Sequence, residues 1–368
     1  MTSAPAAGLS LAQVGTSAAA AVGVPGFTDA LGLGACRQVV VCLVDGLGWL
    51  ALQQHPDLAP RLSALSGRSI DAVFPTTTPV GLGSLGTGLM PGSHGLVGAS
   101  FVYPETDELL NPLHWGSDPV PVAVQPEPTV FERVARAGVV MTTVSPAAYE
   151  DSGLTRAVLR GAAYLGAEDL GDRVAAVSGV LSAGVPSFTY VYWPELDRIG
   201  HEFGVDSDRW RGALVRVDEL VGRLADTLVP GSTLVVTSDH GMIDCPEHER
   251  IQVDDDRRLM AGVRRLAGEP RARHLYVEPG AAADVQQAWR QVVGDRAVVL
   301  TRQELVADGH FGPVDPDLVE RIGDVMAIPT GTTMFASRSD STVSRLLGQH
   351  GALTATEVQV PALVHRLG

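Results

Sequence analysis

The chain has 368 residues, 45% of them apolar and 19% charged, which is enough for one large α/β domain or for a core with a smaller inserted lobe. Acids outnumber bases by 42 to 27, a net charge of −15, and this argues against a surface for nucleic acid or anionic membrane. All the bases are arginine, so chemistry that needs a lysine is excluded, whether a pyridoxal Schiff base, a lysine aldolase or a lysine-bearing phosphate loop.

The first 36 residues carry a single charge, Asp29, and lack the basic start of a secretory signal. Residues 1–37 read as a weakly structured lead-in. Cys36, Cys42 and Cys245 have no Cys-x-x-Cys spacing, so neither a disulfide framework nor a thiolate zinc site is expected. No apolar run is long enough to span a bilayer, and a cytoplasmic protein is the expectation.

From residue 39 the pattern becomes strand, helix, strand. Apolar runs at 39–44, 139–144, 187–193 and 233–238 predict strands covered on both faces, with a further strand over 70–74. Between them, 129–137, 167–183 and 206–228 predict helices. This alternation predicts an α/β fold with a mostly parallel central sheet flanked by helices. Near residue 263 the texture changes: short strands are expected at 273–277 and 297–300, a helix at 281–293, a helical stretch at 315–322 and an extended one at 324–328. The expected organisation is a core of 38–262 and 332–368 with a small α+β lobe inserted at 263–331.

Ligands of such sheets gather beyond the carboxyl ends of the strands. There the sequence places Asp45-Gly46, then Asp197 and His201 four apart on a helical turn, then Ser238-Asp239-His240-Gly241. Each pair alone is also compatible with a solvated helix face or an Asx-capped turn. Their joint placement at strand ends favours a metal site. Thr76-Thr77-Thr78-Pro79 opens a helix, where a hydroxyl is either an ordinary N-cap or a nucleophile beside free amides and the helix dipole. Gly81-x-Gly83-x-x-Gly86 matches a dinucleotide fingerprint in form only, because it does not open directly from the first strand. Near the C-terminus lies Gln349-His350-Gly351.

In this order the segments resemble the type I phosphodiesterase/nucleotide pyrophosphatase family of the alkaline phosphatase superfamily: Asp45-Gly46, residues 74–88, Pro91-Gly92-Ser93-His94-Gly95, Asp197 to His201, Asp239-His240-Gly241 and His350-Gly351. The resemblance implies two divalent cations, zinc by preference, one held by Asp45, Asp239, His240 and the Thr78 oxygen, the other by Asp197, His201 and His350. It implies Thr78 as the nucleophile, because in the family this residue lies nine positions before a Thr-Gly pair, here Thr87-Gly88. The implied activity is hydrolysis of a small anionic phosphate ester, most readily a phosphodiester or pyrophosphate, through a phospho-threonine. A phosphomonoesterase or phosphonate hydrolase on the same site is the alternative, and a non-catalytic binding relative the remote one. Two zinc ions and three aspartates sum to about +1, so an anion can bind despite the acidic chain.

Two positions depart from nucleotide-cleaving members of the family. Pro79-Val80-Gly81 replaces Phe-Pro-Asn, and Ala99 stands where an Asn helps to bind a phosphoryl oxygen. Ser100 and Tyr103 are the expected substitutes for that donor, and Arg271 or Arg273 could reach a substrate phosphate from the inserted lobe. His94 is expected as a turn hydrogen-bond donor and His274 at the surface or the rim.

Overall fold

Seven consecutive residues of β1 (Gln38–Val44) are buried. Their side chains alternate between two apolar layers: Val39, Val41 and Leu43 face one, while Val40, Cys42 and Val44 face the other. A strand apolar on both faces must lie inside a sheet covered twice. In the computed structural model, which describes residues 8–368, β1 is the central strand of seven. The others are β2 (Ser66–Asp71), β3 (Val140–Ser145), β4 (Ala163–Gly166), β5 (Ser187–Trp193), β6 (Ser232–Thr237) and β11 (Gln359–Leu367). Their order is β2-β11-β6-β1-β5-β3-β4. β6, β1, β5, β3 and β4 are parallel, whereas β11 runs antiparallel to both β2 and β6.

Helices α1 (Ala12–Ala21), α2 (Thr78–Thr87) and α3 (Val130–Arg136) cover the first layer, and α4 (Leu170–Ser182), α5 (Glu195–Phe203) and α6 (Asp208–Thr227) the second. α3 and α4 begin with reciprocal capping boxes, Thr129 with Glu132 and Asp169 with Asp172, which satisfy the first amides of each helix.

Four expectations are corrected. Part of the lead-in forms α1, a buried helix whose lack of charge reflects its lack of a solvent face; residues 1–7 lie outside the described chain. The strand expected at 70–74 ends at Asp71, where the chain turns off toward the threonine loop. The stretch 315–322 contains only a single turn at Val319–Arg321, because the Arg321 guanidinium turns inward to the Gly95 and Val124 carbonyls. β11 was not anticipated: Pro361 interrupts its pattern, but Pro361 sits where the strand pairs with β2 alone.

Between Val263 and Pro329 lies a second, antiparallel sheet of β7 (Val263–Glu269), β8 (Ala272–Val277), β9 (Ala297–Thr301) and β10 (Val325–Pro329), in the order β7-β8-β10-β9. Helix α7 (Ala282–Val293) packs Val285, Trp289 and Val293 on one face. The other face looks toward the core. His274 is therefore fully buried rather than at a rim, donating from Nε2 to the Val97 carbonyl (3.1 Å) and accepting at Nδ1 from Gly323 N–H (3.0 Å).

The glycines of α2 serve close approach, not a dinucleotide. A Cβ on Gly81 would lie 2.7 Å from that of Asp239, and one on Gly86 2.0 Å from the Val158 carbonyl oxygen. α1 meets α2 in the same way, with Gly15 against the Leu85 carbonyl at 2.3 Å from a notional Cβ. Gly15→Ala is expected to push the two helices apart and to destabilise the protein by about 1–3 kcal/mol in urea titrations.

Candidate active site and metal centre

Three neighbouring strands deliver the polar groups. β1 ends at Asp45, β5 leads into α5 with Asp197 and His201, and β6 leads into Asp239-His240. Thr78 is the first residue of α2, and His350 arrives on the loop before the short helix Ala355–Val358. The His240 Nε2 atom lies 3.4 Å from Asp45 Oδ1, 3.7 Å from Asp239 Oδ2 and 3.3 Å from Thr78 Oγ1. His201 Nε2 lies 3.4 Å from Asp197 Oδ2 and 3.1 Å from His350 Nε2, and His350 stacks on His240 with ring centroids 3.7 Å apart. All seven residues expected to contact metal are thus in one cluster.

Backbone contacts fix which atoms face inward. Each imidazole places Nδ1 against a carbonyl, His201 on Gly348 (2.7 Å), His240 on Gly241 (3.0 Å) and His350 on Thr76 (2.8 Å). A carbonyl only accepts, so Nδ1 carries the hydrogen and the Nε2 lone pair points into the cluster. The carboxylates are held similarly. Asp45 Oδ2 accepts from the Tyr192 hydroxyl, and Asp239 Oδ1 accepts from the amides of Gly46 and His240. Asp45 Oδ1, Asp239 Oδ2 and Asp197 Oδ1 are buried with no donor.

Unpartnered carboxylate oxygens facing imidazole lone pairs fit a cation and little else. The candidate groups are Asp197, His201 and His350, and Asp45, Asp197 and His240, with ligand atoms within 4.8 Å of one another in each. Asp197 belongs to both. Burial, reinforced by the charges of Asp239 and Asp197, pushes the Asp45 carboxyl well above its usual range; burial likewise raises Asp239 and lowers His350. A bound cation would displace those protons.

The three threonines separate by their contacts. Thr76 Oγ1 donates to the Ala352 carbonyl (2.9 Å) and accepts from Gly351 N–H (3.0 Å), which ties the α2 turn to the His350 loop. Thr77 is the N-cap, with no side-chain capping bond. Thr78 alone has its hydroxyl in a hydrogen bond to a cluster imidazole. Beyond Thr78 opens a cavity of about 660 Å³ lined by Asp45, Asp197, Leu82, Tyr149, Tyr190 and Tyr192, among others. The Tyr190 hydroxyl is buried without a partner, and burial next to Asp239 and Asp45 holds it far above the ordinary phenol range, as a donor. Tyr190 and Tyr192 give little signal in the sequence, because tyrosine alternating along a strand is ordinary; their position four and two residues before Pro194 is the one available.

The sequence profile described as type I phosphodiesterase/nucleotide pyrophosphatase matches residues 39–353. The chain belongs to that family. Over 91 residues it is 33% identical to bis(5'-adenosyl)-triphosphatase ENPP4 of Bos taurus, covering 23% of this chain and 20% of that protein. Over 220 residues it is 29% identical to ectonucleotide pyrophosphatase/phosphodiesterase family member 1 of Rattus norvegicus, covering 54% of this chain and 23% of that protein. The chain therefore spans about a fifth to a quarter of the length of these curated relatives. Murine ectonucleotide pyrophosphatase/phosphodiesterase 5, in an inactive form in complex with AMP, superposes with a TM-score of 0.73 at 22% identity, covering 90% of this chain and 88% of that one. Phosphonoacetate hydrolase from Sinorhizobium meliloti 1021, in complex with phosphonoformate, gives 0.66 at 21% identity and 90% coverage of each. Both share the fold.

Within this family frame, the four residues expected to bind substrate have other partners, and the expectation is corrected. Ser100 exchanges two hydrogen bonds with the Gly268 backbone. Tyr103 is buried beside the Arg321 guanidinium, 5.3 Å from its ring centroid. Arg271 is fully buried in a two-pronged ion pair with Glu357, both contacts at 2.7 Å, and also donates to the Thr333 carbonyl. Arg273 is bound to the Phe335 carbonyl and to Asp340. His94 donates from Nε2 to Ser84 Oγ (3.1 Å) and accepts at Nδ1 from the Leu96 amide. Because Glu357 would be left as a buried unpaired charge, Arg271→Met is expected to cost about 3–5 kcal/mol in equilibrium unfolding. A substrate-facing Arg271 would instead leave stability intact and raise KM.

Proposed function

We propose that the protein is a metal-dependent hydrolase of phosphate esters, acting on phosphodiester or pyrophosphate bonds through a phospho-threonine formed on Thr78. The observation that carries this reading is the Thr78 hydroxyl, 3.3 Å from His240 Nε2, at the start of a ten-residue helix and in the lining of the cavity. Two zinc ions, one held by Asp45, Asp239, His240 and Thr78 and the other by Asp197, His201 and His350, would supply Lewis acidity and positive charge.

The chain's own groups do the rest. The three Nδ1 contacts to carbonyls keep each imidazole in one tautomer and one orientation. Tyr192 orients Asp45. At the start of α2, Pro79 has no N–H and the Val80 and Gly81 amides bond the Thr77 carbonyl, which leaves the Thr78 amide as the first-turn donor. It favours the anion that forms as the Thr78 hydroxyl gives its proton to solvent, Oγ1 bonds to phosphorus and the ester oxygen departs on the far side, taking up a proton. Water then cleaves the Thr78–phosphorus linkage and restores the hydroxyl. Tyr190 supplies a hydrogen-bond donor within the cavity, the role left open by Ala99. The substrate is a small anion that enters from solvent; no helix among the described residues is long and apolar enough to cross a membrane. A cytoplasmic setting is part of this proposal.

Thr78→Ala is expected to abolish turnover of bis-nitrophenyl phosphate while zinc, counted by plasma mass spectrometry, stays near two per chain. Survival of activity in Thr78→Ala with its loss in Thr77→Ala would move the nucleophile by one residue. Faster cleavage of mono-nitrophenyl phosphate or of a phosphonate than of the diester would favour the alternative reading, and a wild-type protein without metal or turnover the non-catalytic one. Tyr190→Phe is expected to lower kcat/KM by about ten- to hundredfold, the loss of one hydrogen bond to a charged oxygen.

A further inference from the structure

We propose that Glu269 is a positioning residue, buried without a cationic partner, through which the second sheet fixes the turn leading into Thr78 and the loop bearing His350. This rests on the reading of Thr78 as nucleophile. Glu269 ends β7 and is almost wholly buried. Neither of its carboxyl oxygens has a hydrogen-bond partner of good geometry, and among the described residues no guanidinium forms an ion pair with it.

On one side it packs on Gly351, the residue after His350. A Cβ there would stand 2.7 Å from the Glu269 Cγ and 3.2 Å from its Oε1, so only glycine leaves room for the acid. On the other side the Glu269 carboxyl approaches the side chain of Thr77, the residue before Thr78, whose hydroxyl is not engaged in capping α2. Glu269 is thus wedged behind the point where Thr76 already ties the two loops together. Arg271, two residues on, secures the same loop through Glu357, which accepts from Ala352 N–H and the Thr354 hydroxyl.

Burial pushes the Glu269 carboxyl up to about 8, against the opposing pull of Thr77 and Arg273 and with Glu357 adding to it. Arg273 and Glu357 are the charged groups that face it. Arg273 is held by Asp340 and the Phe335 carbonyl, and Glu357 by Arg271. A protonated acid can donate to the Thr77 hydroxyl; an ionised one would add a fourth carboxylate close to a site already crowded with three.

The test compares Glu269→Gln and Glu269→Ala in the metal-loaded enzyme with bis-nitrophenyl phosphate. Gln, neutral and of the same shape, is expected to keep kcat within about threefold. Ala is expected to lower kcat by about tenfold or more, with KM and metal content unchanged. Thermal unfolding supplies a readout that does not depend on catalysis. A folded-state carboxyl raised above its unfolded value loses stability as pH rises between the two. The melting temperature of wild type should therefore fall relative to Glu269→Gln from about pH 4.5 to about pH 8 and run parallel above that. The proposal is overturned by wild-type kcat in Glu269→Ala, by Glu269→Gln being as impaired as Ala, or by a pH-independent melting difference. If Ala does not fold, the Gln kinetics and melting series decide. Failure of the nucleophile reading would appear separately, as turnover surviving in Thr78→Ala.

Discussion

Three carboxylates and three imidazole lone pairs converge on one small, buried volume, and the architecture around it is arranged to hold them there. Left to themselves, Asp45, Asp197 and Asp239 would repel one another and draw protons from solvent. Each instead has a fixed orientation: Tyr192 holds one oxygen of Asp45, backbone amides hold one oxygen of Asp239, and Asp197 is carried on a helix whose next turn presents His201. The oxygens left over point at one another without a donor. That is a frustrated arrangement in the absence of a cation and a complementary one in its presence, so metal binding and local stability are one equilibrium here.

Parts of this were legible in sequence for a simple reason. β1, β5 and β6 are apolar on both faces and stop abruptly at polar clusters, so Asp45, Asp197 with His201, and Asp239 with His240 declare both their strand and its end. His350 has no such frame; its loop lacks periodicity, and only the order of segments shared with the family pointed to it. The four residues expected at the phosphate were misjudged because a charged or hydroxyl side chain in a connecting segment is normally exposed. The partner that buries Arg271, Glu357, is 86 residues away in the chain and separated from it by most of the second sheet. Glu269 is hidden from the sequence in the same way, since Gly268-Glu269-Pro270-Arg271 looks like the tip of a solvated hairpin. Sequence patterns report which way a strand faces; they do not report what a hairpin tip is pressed against.

The second sheet is therefore more than an ornament on the catalytic core. Its β7–β8 tip reaches the Thr77–Thr78 turn and the His350 loop through Glu269 and Arg271, while Ser100 and His274 bind the same sheet to the segment after His94. The cavity next to the metal cluster differs in character from this packed side. Tyrosine hydroxyls and leucine side chains line it, together with the acids of the site.

The position of β11 constrains how the molecule can be made. Among the described residues this strand is the only one that joins β2 to the rest of the central sheet, and it follows every other strand of that sheet in sequence. During synthesis, β6 must wait with one hydrogen-bonding edge open, and β2 with no partner in the sheet, until the ribosome has passed residue 367. Nascent chains stalled short of that point would expose a ready template for pairing with other chains. The vulnerable interval in the life of this protein is its own translation.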